Sequence, residues 1–214
     1  TLLGCEENQL TSLDVRNGNN TNFTGFYASQ NSNLNCISVD DATWATANWT
    51  NIDAHTSFSN DCNAVPKTYV PDDNFEAYLE THDASGNVVS VGDANSMGDG
   101  IANNDSVLTA NISGVANLYV DDQSIADLTG IEDFTNLSEL SCSNNQLTSL
   151  DVSQNTQLTK LYCGKYNLPL NSWSANGNQL TSLNVTQNTL LTNLRVGYNL
   201  LTTLDITQNT NLVQ

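Results

Sequence analysis

Positive charge is scarcest in this chain. Five Lys and Arg stand against 23 Asp and Glu, a formal net charge of −18 over 214 residues. A body that acidic repels phosphate backbones and anionic headgroups, which excludes nucleic acid and anionic membrane surfaces as partners. Long apolar runs are also missing. No stretch approaches the roughly 18 residues that would mark a membrane-spanning helix, so no membrane insertion is expected. Only two histidines are present, His55 and His82, and neither stands beside a nucleophile motif. Carboxylates abound, but a glycosidase needs its pair in an aromatic-lined cleft, which the sequence does not outline. The expectation is a protein that is not an enzyme and requires no cofactor.

What the chain does have is repetition. "CEENQLTSLDVRNGN" begins at residue 5, and "CSNNQLTSLDVSQNT" occupies residues 142–156. Leu137, Leu140, Cys142, Asn145, Leu147, Leu150 and Val152 lead to Leu158, Leu161 and Cys163 at a step of 21. Asn178, Leu180, Leu183, Val185 and Asn188 map onto Asn199, Leu201, Leu204, Ile206 and Asn209 at the same step. The unit reads L-x-x-L-x-C-x-x-N-x-L-T-x-L-D-V-x-x-N-T-x, a leucine-rich repeat. The apolar positions of L-x-x-L-x-C point inward from a short strand, and the residues between them face out. The fold class expected is an α/β repeat. It would be a leucine-rich-repeat solenoid with parallel strands on its concave face, short capping helices and mostly loop on the convex side. Asn8, Asn31, Asn145, Asn178 and Asn199 fall where each coil turns, so they should stack as a ladder. Each hydrogen bond of the ladder would contribute about 1 kcal/mol net.

The five cysteines divide in two. Cys5, Cys142 and Cys163 share one repeat position, where a small thiol packs as a hydrophobe. Cys36 and Cys62 lie outside that column. A bridge between them would close a loop of about 27 residues, worth about 3–4 kcal/mol in the chain-entropy model, and would place the protein in an oxidising, extracellular setting.

Four segments are expected. Residues 1–38 read as the final coils of a first array, with "NSNLNCISV" a variant last strand. Residues 39–64 read as a disulfide-bridged C-terminal cap, with Asp40 or Asp41 as helix N-cap and Trp44, Trp49 and Phe58 against the open core. Residues 65–135 hold a Pro-punctuated linker, the N-terminal cap of a second array and its first coil. In that cap, Phe75, Tyr78 and Leu79 have helical spacing. Residues 136–214 are the repeats of the second array. The chain opens and closes in mid-repeat, which reads as a piece of something longer. Within "GKYNLPLNSWSANG" the period breaks. It reads either as a 12-residue insertion bulging from an ordinary coil or as a strand unit, with Trp173 in a Leu position, of a coil with a piece missing.

"YVPDDNFEAYL", "GDGIANND", "LTANISGV", "SIADLTGIEDFTNLSELSC" and "NQLTSLDVSQNT" together resemble the secreted or cell-surface leucine-rich-repeat proteins of Bacteroidota, of flavobacterial type, with tandem 21-residue arrays. "NCISVDDATWATANW" followed by "SFSNDC" resembles the cap that ends such arrays. The resemblance implies a large modular protein on the outer cell surface or outside the cell, exported by the type IX system, whose repeats bind or space rather than catalyse. It carries no standard set of binding residues.

Two candidate sites follow. "DANSMGDG" places Asp93, Asn95 and Asp99 at the alternating positions that begin a calcium loop, although Met97 stands where a ligand belongs. An Asx-rich turn is the other reading. Lys160, Tyr162, Lys165, Arg195 and Tyr198 fall on one outward lane of the second array, which gathers three of the five basic residues. Such a strip suits a protein or an anionic polysaccharide, with Tyr stacking on sugar rings and Lys or Arg pairing with acidic groups. Neighbouring arrays of the same longer chain are the remaining partners. A structural spacer or stalk with no ligand of its own is the alternative.

Overall fold

The computed structural model describes residues 1–164 and 177–212, organised as two compact units, Thr1–Val65 and Pro66–Gln214. Lys165 and Trp173 lie outside the described residues.

The first unit contains β1 (Leu2–Gly4), β2 (Leu13–Asp14), β3 (Gly25–Tyr27), β4 (Cys36–Ser38), α1 (Ala42–Asn48) and β5 (Ser57–Ser59). Each coil contributes to two parallel ladders. One is β1–β3, extended by a bridge from Tyr27 to Asn51, and the other is β2–β4–β5. The strand in "NSNLNCISV" forms as β4, but it aligns with Leu13 and Asp14 and is followed by β5. Asp41, rather than Asp40, accepts the Trp44 N–H at the start of α1. Asp40 instead takes the Gly18 and Asn20 N–H groups of the neighbouring coil. Phe26 and Trp49 stack at 4.2 Å, and Phe58 meets both rings edge-on, giving the unit an aromatic core. Cys36 and Cys62 are disulfide-bonded, with Cα atoms 5.7 Å apart.

The second unit begins with β6 (Lys67–Tyr69) and α2 (Asp73–Thr81), then β7 (Ser106–Leu108) antiparallel to β6, and a single turn α3 (Thr109–Ile112). Asp72 starts α2 by accepting the Asn74 and Phe75 N–H groups, and its other oxygen takes the Ala126 and Asp127 N–H groups. One side chain thus caps the helix and fastens it to the first turn of the repeats. Phe75, Tyr78 and Leu79 are buried in the unit's core.

The repeats supply β8 (Asn117–Tyr119), β9 (Glu139–Ser141), β10 (Lys160–Tyr162) and β11 (Asn193–Arg195), four parallel strands in that spatial order. Between them Leu118, Leu140 and Leu161 are buried, as are Cys142 and Cys163 one coil apart, so each coil completes its core on its neighbour. Cys5, Cys142 and Cys163 are free thiols. Burial pushes the Cys163 thiol up to about 12.

Two files of asparagine hold the turns. In the first, the Asn145 amide donates to the Val120 and Cys142 carbonyls and its oxygen accepts from Gln123 and Ile125. Asn178 and Asn199 repeat the pattern, as does Asn31 in the first unit. Asn8 is exposed and reaches only the Cys5 and Glu6 carbonyls. The residues before Asn8, Asn31, Asn145 and Asn199 turn left-handed, at Glu7, Gln30, Asn144 and Tyr198, as does Asp122 before Gln123, with φ of 54° to 63°. Before an asparagine of the file, that conformation aims the next side chain inward across the coil. The second file, which the spacing displayed but the sequence reading did not interpret, is Asn155, Asn188 and Asn209. Each donates to carbonyls of the preceding coil, while its own Oδ1 is buried without a protein donor.

The broken period has a simple frame. Thr159 bonds to the Ser138 carbonyl across 21 residues, but Thr192 makes the same bond to Thr159 across 33. β10 pairs directly with β11, which agrees with twelve extra residues inserted in one coil. Gly164 and Gly177, at the two ends of that stretch, press against the next coil. A Cβ on Gly164 would lie 2.4 Å from the Gly197 carbonyl oxygen, so only glycine fits there.

Candidate functional site

The outward face of the β8–β11 sheet carries two rows. Register aligns Asn117, Glu139, Lys160 and Asn193 in one, and Tyr119, Ser141, Tyr162 and Arg195 in the other. Parallel strands stand about 4.8 Å apart, so Tyr119 and Tyr162 flank the small Ser141 at about twice that spacing. Ser141 is buried and donates to Asp121. The two rings therefore wall a notch with a hydroxyl floor.

Charge on this face is less positive than the sequence suggests. Lys160 Nζ meets Glu139 Oε2 at 2.8 Å, which raises the Lys160 pKa through that hydrogen bond and charge. Tyr119 is raised first by burial and then by the neighbouring Glu139. Arg195 sits with its guanidinium 5.1 Å from the centre of the Tyr162 ring. Among the described residues it is the cation of this strip with no carboxylate partner. Tyr198 is exposed at its left-handed corner. The structure thus brings Lys160, Tyr162 and Arg195 together and adds Tyr119 and Glu139, which the sequence reading had not selected. Alternation within β8 marks Tyr119 as outward, the signal that would have found it.

The calcium candidates are placed differently from a cation loop. Asp93 turns back on Asn95, accepting both its backbone and amide N–H groups, which is the Asx-turn geometry. Asp99 faces protein donors. Its carboxylate accepts from Lys67 Nζ at 2.7 Å, the Asn104 amide, the Ser106 hydroxyl and the Ile101 N–H. With both oxygens so engaged, Asp99 acts as an anchor between β6 and the loop before β7.

Burial alone would raise the Asp99 pKa, but Lys67, Asn104 and the Ile101 N–H outweigh it and hold it at about 2. An unfolded aspartate titrates near 3.9. The anchor therefore contributes fully above about pH 4 and is lost as pH falls from there toward 2. Thermal melts should show a fall in Tm over that window that is shallower in Asp99→Asn. Equal slopes in parent and variant would remove Asp99 from the acid response.

Two buried carboxylates escaped the sequence reading. Glu76 accepts the Asn104 and Asp105 N–H groups, and Glu80 accepts those of Asp99 and Gly100. Both flank the apolar face of α2 and fix the loop above it. Their i, i+4 spacing beside Phe75 and Leu79 was the available clue. Gly98 is required here, because a Cβ would fall 2.1 Å from the Glu80 carboxyl. Asp73, Glu76 and Asp105 bring carboxylate oxygens within 4.8 Å of one another, the described group with the geometry to hold a cation. No described helix is long and apolar enough to cross a membrane.

Parallel strands stepping by whole coils, leucine and cysteine columns and asparagine files make a leucine-rich-repeat solenoid. The chain is similar to known internalins. Over 52 residues the chain is 42% identical to internalin J of Listeria monocytogenes serotype 4b (strain F2365), a match covering 24% of this chain and 6% of that protein. The solved functional domain of InlJ from Listeria monocytogenes, which includes a cysteine ladder, matches with a TM-score of 0.52 at 32% identity over 72% of this chain and 29% of that one. An internalin, inlF, from Listeria monocytogenes str. 4b F2365 matches with a TM-score of 0.47 at 23% identity over 67% and 34%. The chain thus spans under a third of either InlJ relative. No family model matches it.

Proposed function

We propose that the second unit is a non-catalytic recognition module that binds a protein ligand on the outward face of the β8–β11 sheet. The observation that carries this reading is the Tyr119–Ser141–Tyr162 notch with Arg195 stacked at its end. It concentrates aromatic surface and, among the described residues, a cation with no carboxylate partner in a chain of net charge −18. Tyr and Arg are the residues most often central to binding energy at protein interfaces. The likeness to internalins supports the same reading, as does the pairing of Cys142 and Cys163 in one column, the kind of feature described for the InlJ domain. A place outside the cell or on its outer surface, with export by the type IX route, belongs to this proposal, as does adhesion as the role of the longer protein. Polysaccharide is the second ligand class. The disulfide supports an oxidising setting.

The test is a binding panel of acidic peptides and anionic and neutral oligosaccharides, read by interferometry at two salt concentrations. An acidic peptide should bind and should weaken with salt. Arg195→Ala should cost up to about fivefold, since an exposed ion pair to the ligand is worth about 0.2–1 kcal/mol. Glu139→Gln should strengthen binding by freeing Lys160. An unchanged affinity in both variants would sink the proposal. The spacer reading is favoured by one observation, the Glu139–Lys160 pair that neutralises the strip from within. It gains if no member of the panel binds.

A further inference from the structure

A second surface in the same unit has the opposite chemistry. A groove of about 620 Å3 crosses three successive coils, and none of its lining residues belongs to the β8–β11 sheet. Leu128, Leu150 and Leu183, one from each coil, form its floor together with Ile131. Leu150 and Leu183 keep 9% and 7% of their surface open and Leu128 3%, whereas Leu147, Leu158, Leu161 and Leu180 are at 0%, so within these coils the row lies nearer to solvent than the leucines behind it. Asp127, Glu132 and Asp151 are exposed along the rim, and the other rim residues are uncharged Thr129, Ser149, Ser182 and Asn184.

The rim carboxylates are oriented. Asp127 accepts the Thr129 N–H and hydroxyl, Glu132 the Gly130 N–H, and Asp151 the Ser153 N–H. Among the described residues no cation offsets them, since the ion pairs lie elsewhere, at Asp14, Asp61, Asp99 and Glu139. Three like charges around an apolar floor repel one another until a cationic partner arrives. Lys and Arg suit such a surface in particular, because their methylene stems cover apolar ground while the charged head stays in water.

We infer that this groove is a docking site for a basic peptide segment of another protein. The segment would lay Lys or Arg stems over Leu128, Leu150 and Leu183 and set their heads on Asp127, Glu132 and Asp151. Charge complementarity selects the occupant: the lining contains no base, and the acidic body draws cations toward it. Because the ligand is basic, its binding is independent of the acidic ligand expected at Arg195.

The experiment uses the whole chain and a fluorescein-labelled decapeptide of alternating Lys and Leu, followed by anisotropy. The groove variant Asp127→Asn/Glu132→Gln/Asp151→Asn should weaken binding at least tenfold. A charge-matched variant away from the groove, Asp73→Asn/Asp93→Asn/Asp122→Asn, should change it by no more than about twofold, as expected where the distant charges are screened. Ser149→Tyr changes no charge but crowds the floor, and it should weaken binding as well, with circular dichroism checking that each variant is folded. Equal losses in the two triple variants would reduce the effect to bulk attraction and overturn the proposal. So would a folded Ser149→Tyr that binds like the parent, or a groove that takes up calcium chloride but no peptide.

Discussion

Reduction of the Cys36–Cys62 bridge is expected to unfold Thr1–Val65 while Pro66–Gln214 stays folded. The bridge closes 26 residues, and removing a crosslink of that length costs about 3–4 kcal/mol through the gained freedom of the unfolded chain. The first unit has little to set against that. Its buried apolar residues are Phe26, Ala28, Leu34, Ile37, Val39, Ala45 and Trp49, and a single core in a chain below about 70 residues rarely supplies more than about 3–5 kcal/mol. The second unit has a far longer list, running from Val70 to Leu191, and no disulfide among its described residues. Hydrogen exchange with and without a phosphine reductant reads both units in one sample. Amides of β3, β4 and β5 should lose protection in reductant, while those of β9 and β10 keep theirs. A Cys36→Ser/Cys62→Ser chain should behave as the reduced parent does. Full protection of β4 after complete reduction would show that the aromatic core suffices alone.

How much of this was legible in advance depends on whether a signal repeats. The leucine and cysteine columns and the first asparagine file recur every coil, so their spacing announces both the fold and the inward direction of each side chain. Phe75, Tyr78 and Leu79 were readable for a different reason: an apolar face at helical spacing is a local pattern, decided within a few residues. The tertiary pairs were not legible. Lys160 looked like a free cation because Glu139 is one coil away in sequence, and only strand register sets them side by side. Asp99 looked like a metal ligand because nothing local reveals that Lys67 is its partner. Glu76 and Glu80 read as the solvated side of a helix until the loop at 98–105 was folded over them. A stretch that breaks the period carries no such signal: residues 165–176 lie outside the described residues, and the bond from Thr192 to Thr159 shows only that the coils on either side are neighbours.

Asn145→Ala should destabilise the second unit by on the order of 4 kcal/mol, and the comparison that tests it is Asn155→Ala in the same unit. Both side chains are buried, Asn145 at 6% and Asn155 at 0% exposed, so both substitutions remove a side chain of the same size from a turn of the same coil. They differ in what they leave behind. Asn145 donates to the Val120 and Cys142 carbonyls and accepts from the Gln123 and Ile125 N–H groups, so its loss breaks four bonds and strands three backbone groups, the Cys142 carbonyl keeping the Asn178 amide. Asn155 donates to the Ile131 and Phe134 carbonyls, and its own oxygen accepts no protein hydrogen bond. Its loss leaves neither carbonyl bare, since Ile131 still accepts the Phe134 N–H and Phe134 the Leu137 N–H, and it also removes a buried unsatisfied acceptor. With about 1 kcal/mol for each bond lost and more for each group stranded, Asn155→Ala should cost about half as much as Asn145→Ala or less. Urea unfolding of the two variants, followed by circular dichroism with m-values held against the parent, gives the ratio. Equal losses would mean that the volume removed, rather than the bonds broken, sets the cost, and the first asparagine file would then be packing rather than the hydrogen-bonded frame of the coils.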